Sequence, residues 1–151
     1  MACLPLWGVA QKITPLKKAV IQSVEQHKES LIKLSDSVWA LAETAFEEQG
    51  SAKILADYAE AQGMNVTRGV AGIPTAFTAT FGSGHPVISI LGEYDALPGI
   101  SQKASPEKEA LNPGAAGHGC GHNLFGAASL GAAIAIKEQI ESGKLKGTVK
   151  F

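Results

Sequence analysis

Between His85 and Gly99 the sequence reads HPVISILGEYDALPG, and its nearly unbroken apolar run from Val87 to Leu91 limits the fold more than any other stretch. A run with no alternation has no face to give to water, so it predicts a strand buried on both faces, in a sheet covered by helices. The acidic residues and Pro98 that follow mark where the strand ends.

The flanking sequence supplies the helices that such a sheet needs. Thr14-Pro15 has the form of an N-cap followed by proline at the first helical position, and Leu16, Val20, Val24, Leu31, Leu34, Val38 and Leu41 recur at near-helical spacing. This predicts a long amphipathic helix broken near Ser35. A second helix is predicted from about Ser51 to Gln62, with Ile54, Leu55, Tyr58 and Ala59 on one face and Gly63 as the stop. The segment between them, ETAFEEQGS, is polar and turn-like. NVTRGV and TAFTATF are β-rich runs separated by Ala-Gly-Ile-Pro, which suggests a hairpin. After Asn123, LFGAASLGAAIAIKEQIESGK reads as a closely packed alanine-rich helix, and Gly147 to Phe151 has the character of an incoming strand.

The 151 residues suffice for one domain or for part of a larger one. We read residues 1–13 as an irregular tail and 14–151 as the N-terminal part of a larger folded domain. The formal charge of -1 and the lack of a long basic run give no electrostatic footprint for nucleic acid or an anionic membrane. Two cysteines, Cys3 and Cys120, make no disulfide framework and fit a reducing compartment. The opening MACLPLWGVAQ lacks the basic start of a signal peptide, and no run approaches the roughly 18 apolar residues of a membrane span. A cytoplasmic protein with a small-molecule substrate is the expectation.

The chemistry is concentrated in GHGCGHN, Gly117 to Asn123. In extended backbone His118, Cys120 and His122 point to one side, and thiolate with neutral imidazole is a donor set for zinc and related divalent ions. The competing structural reading makes one histidine a helix cap and Cys120 a small buried hydrophobe. Asp95 lies past the predicted strand, where open α/β sheets place ligands. A carboxylate there fixes the tautomer of a metal-bound imidazole by accepting its other N–H, though a plain turn residue fits too. Glu93 points the same way as Asp95 if the strand continues, as a further ligand, a substrate contact or a solvated strand end. Ala127 to Gly131 is a poor match to a nucleophile elbow, and no GxGxxG follows the strand. His27 and His85 read as surface residues.

GEYDALPG, followed some twenty residues on by GHGCGHN and an alanine-rich helix, resembles the amidohydrolase branch of the dinuclear metallopeptidases, and within it the aminobenzoyl-glutamate hydrolase group. WALAETAFEEQGSAKILADYAEAQG resembles the helix, acidic turn and second helix of that branch, so the resemblance runs from about Ile21 to Phe151. It implies an α/β fold: the N-terminal part of an aminopeptidase- or carboxypeptidase-like catalytic domain, with a mixed sheet flanked by helices. It implies Cys120 and His122 as metal ligands, His118 as support, and Asp95 as the residue that orients the metal-binding imidazole. Asn123 stands where the branch more usually has aspartate. Two divalent ions, manganese or zinc, are implied in the complete enzyme, together with a general-base glutamate, further ligands and a lid domain in segments beyond Phe151.

The expected activity is metal-dependent hydrolysis of the amide bond of N-acyl amino acids or aminobenzoyl-glutamate-like substrates. The complete protein is expected to form homo- or hetero-oligomers, and the present chain alone to be inactive. Two rival readings are a cysteine hydrolase with Cys120 as nucleophile and a non-catalytic metal-binding module.

Overall fold

The computed structural model describes residues 12–151. The remainder of the predicted tail, including Cys3, lies outside the described residues. Four helices and four strands follow the order α1 (Pro15–Gln26), α2 (Lys28–Leu41), α3 (Gln49–Ala61), β1 (Asn65–Arg68), β2 (Phe77–Ser83), β3 (Val87–Ser89), α4 (His122–Glu141) and β4 (Gly147–Lys150). A 3-10 turn, Val70–Gly72, lies between β1 and β2. No helix among the described residues is long and apolar enough to cross a membrane.

The strands form one mixed sheet in the order β1-β2-β4-β3. β1 and β2 are the predicted hairpin, β2 and β4 are antiparallel, and β3 runs parallel to β4. α4 lies at the centre of the molecule, packed on the sheet and on the other three helices. Its many alanines allow that crowding: Ala127, Ala133 and Ala135 are buried beside Leu130 and Ile134. From the facing elements Leu34, Val38, Leu55, Ala59, Ala79 and Val149 complete one core.

Two expectations need correction. The first helix breaks at His27 and not near Ser35. His27 spans the gap to two other helices, with Nε2 2.8 Å from Glu138 of α4 and Nδ1 3.4 Å from the Tyr58 hydroxyl of α3. It is therefore half-buried and not a free surface residue. The helix continues through Ser35, whose side chain finds a buried partner, described below.

The second correction concerns the apolar run. β3 is an edge strand bonded to β4 alone, and Val87 and Ile88 are 49% and 51% exposed. Ile90, just beyond β3, packs against the core. An apolar run records affinity for a dry surface, yet it does not say whether helices reach far enough to cover both faces. Here the fully buried strand residues are Ala79 and Val149, in the central strands.

Candidate functional site

Past β3 the chain runs on through Glu93-Tyr94-Asp95, and alternation along this extended segment sends Tyr94 inward and its two acidic neighbours the other way. Tyr94 is buried and its hydroxyl donates to the Thr75 carbonyl oxygen. Burial, with the nearby Glu48 charge adding to it, pushes the phenol up to about 12, so it remains a donor. The next residue is fixed as well: the Ala96 amide donates to the Glu43 carbonyl at 2.7 Å, in a short bridge between Thr44 and Ala96.

Glu43 itself closes the acidic turn after α2. Its carboxylate accepts from the Gly50 amide at 2.9 Å and from the Ser51 amide and hydroxyl at 2.8 Å each, and so caps the start of α3.

The opposite wall is the start of α4. Gly121 sits at the N-cap with φ 74°, a left-handed conformation that glycine adopts without strain. His122 opens the helix and meets both carboxylates: Nδ1 is 2.8 Å from Asp95 Oδ1, and Nε2 is 3.1 Å from Glu93 Oε2. Close approach is possible because Gly126 carries no side chain, and a Cβ there would stand 2.8 Å from the Glu93 carbonyl oxygen.

The structure thus brings together His122, Asp95 and Glu93. It does not bring together His118, Cys120 and His122 in the way that alternation predicts. The backbone turns at Gly119-Cys120, closed by the Gly121 amide on the His118 carbonyl at 3.2 Å, so the period of two is lost. His118 turns toward α2, where its Nε2–H donates to the Val38 carbonyl at 3.2 Å, and its Nδ1 is buried without a partner. Burial pulls this imidazole below its ordinary value, against the opposing effect of the Val38 carbonyl. Cys120 is a free, exposed thiol and not a buried hydrophobe. Among the described residues no group of three or more His, Cys, Asp and Glu side chains converges to hold an ion.

The donor chemistry of His122 nevertheless fits a cation. With Nδ1–H donating to Asp95, Nε2 turns a lone pair toward a carboxylate oxygen of Glu93. Two acceptors face one another across that contact, which becomes favourable only with a proton or a metal ion.

No family model matches the chain. Over 130 residues it is 48% identical to one of the subunits of the p-aminobenzoyl-glutamate hydrolase of Escherichia coli (strain K12), a match covering 85% of this chain and 27% of that protein. Its backbone superposes on a dinuclear metal-binding peptidase of the M20 family from Bacillus subtilis with a TM-score of 0.64 and 27% identity, covering 82% of this chain and 35% of that one. The chain is similar over most of its length to a hydrolase subunit and to an M20 dinuclear metal-binding peptidase. It is also 28% identical to the Xaa-Arg dipeptidase of Mus musculus over 143 residues, 88% of this chain and 30% of that protein. The structure of a protein described as an aminohydrolase from methicillin-resistant Staphylococcus aureus matches with a TM-score of 0.71 and 25% identity, over 88% of this chain and 33% of that one. The chain spans about a quarter to a third of the length of these similar proteins.

Proposed function

We propose that this chain supplies part of the catalytic domain of a metal-dependent amidohydrolase acting on N-acyl amino acids or aminobenzoyl-glutamate-like amides. The observation that supports it most is the His122 imidazole held at Nδ1 by Asp95, with Nε2 turned to the Glu93 carboxylate. Cys120 and His122 are the proposed ligands for two divalent ions, manganese or zinc. The ions supply Lewis acidity for the amide carbonyl and acidify the attacking water. Asp95 holds the tautomer that leaves Nε2 as donor. Glu93 adds negative charge on the same side, which favours a cation over a neutral occupant. His118 supports the loop from behind through the Val38 carbonyl.

The described residues offer fewer donors than two ions need, so the chain by itself is proposed to be inactive toward amides. The complete protein is proposed to be cytoplasmic and oligomeric; the naming of the Escherichia coli relative as one subunit of its enzyme supports assembly with a second kind of chain. A cysteine hydrolase is less well supported, because His118 and His122 are both engaged away from the thiol.

Alkylation of Cys120 in a Cys3→Ser background tests the reading. Zinc or manganese should slow alkylation and a chelator should restore it. Equal rates with and without metal would remove Cys120 from the ligand set.

A further inference from the structure

We propose that Asn123 is a positioning residue for the metal loop, acting through Ser35 of α2. This rests on the reading that Cys120 and His122 face a metal ion. Asn123 Nδ2 donates to Ser35 Oγ at 3.0 Å, across 88 positions of sequence, and both residues are buried, at 7% and 5% exposure. Three positions along the same helix, the Val38 carbonyl accepts the His118 ring N–H. Residues three apart share one helix face, so a single turn of α2 holds both ends of the loop His118 to Asn123.

Cys120 lies between the two ties and His122 directly beside the second. The intervening backbone is short and turned: the Gly121 amide bonds the His118 carbonyl, and the Leu124 and Phe125 amides both bond the Gly121 carbonyl at 3.0 Å. A loop pinned at both ends has few ways to move Cys120 relative to His122. An amide suits this buried place better than a carboxylate, since it donates to the hydroxyl without burying a charge. This accounts for Asn123 as a neutral anchor facing α2 while its neighbour His122 faces Asp95 and Glu93.

The test compares Asn123→Ala, Ser35→Ala, their double variant and Ser35→Thr, all with Cys3→Ser so that Cys120 is the sole thiol. Without metal, the amides from Gly119 to His122 should exchange hydrogen about tenfold faster in both alanine variants, with β2 and β4 amides unchanged. Cobalt binding, read from the thiolate-to-cobalt absorption, should weaken by about tenfold in each single variant and no further in the double, because both remove one bond. Ser35→Thr keeps the hydroxyl and should behave as the parent does. Loop exchange that is unchanged, or that rises equally throughout the protein, overturns the proposal. Cobalt affinity retained in the folded alanine variants does so too. A parent chain that takes no cobalt instead removes the metal reading, and the exchange measurement still decides whether Asn123 holds the loop.

Discussion

The backbone of Glu93 passes so near Gly126 that a Cβ on the glycine would lie 2.8 Å from the Glu93 carbonyl oxygen and 3.4 Å from the Tyr94 Cβ. α4 and the acidic segment therefore meet with nothing between them. Alanine in place of glycine ordinarily strengthens a helix interior by about 0.5–1 kcal/mol. Here Gly126→Ala must push the two segments apart, and it should cost about 1–3 kcal/mol, the usual scale for overpacking. Thermal unfolding reads the sign directly, and a melting temperature at or above the parent's would show that the contact relaxes freely.

Asp95→Asn keeps an acceptor for the His122 Nδ1–H but removes the charge behind it. The protein should fold as before, with metal affinity about 10–100-fold weaker, the scale for a partner of a ligating histidine. Isothermal titration with zinc is the measurement. Loss of the fold with unchanged affinity in the remaining folded fraction would assign Asp95 to the turn instead.

The cap made by Glu43 gives a pH signature. Burial pushes this carboxyl upward, but the hydrogen bonds from Ser51 and Gly50 outweigh it and leave the group below its ordinary value. A carboxyl lowered in the folded state contributes stability above its unfolded value, and that contribution is lost as pH falls through the folded one. Urea unfolding at a series of pH values should therefore show Glu43→Gln less stable than the parent near neutrality, with the gap closing on acidification. A gap independent of pH would show that the charge is not what the cap uses.

Leu130 is fully buried where α4 meets the rest of the core. Leu130→Ala should lower stability by about 2–5 kcal/mol, measured by chemical denaturation. A loss under about 1 kcal/mol would mean that the neighbouring alanines close the cavity.

Local chemistry was legible where partners are close in sequence. Thr14 caps α1 through the Lys17 amide, Gly63 ends α3 with φ 80°, and the hairpin and β4 form where β-rich runs predict them. The Asp95–His122 contact was legible in part: a carboxylate past a strand suggested an imidazole partner, and only the structure shows that His122, 27 positions on, is that partner. What escaped depends on distant partners. The break at His27 requires Glu138, 111 positions away, and the Asn123–Ser35 bond joins two small polar residues with no spacing signal between them. Glu43 was hidden in a turn whose acidic residues look alike, and only the fold selects which one reaches Ser51.

The position of β4 has a consequence for how the chain is made. β4 separates β2 from β3, two strands that precede it in sequence by more than fifty residues. During synthesis on the ribosome, neither pairing can form until residues 147–150 emerge, whereas the β1–β2 hairpin and the first three helices are already complete. Such late, non-local closure slows folding and leaves the backbone edges of β2 and β3 unpaired in the meantime. A nascent chain stalled before Gly147 is thus the species that a chaperone would meet with its sheet half made.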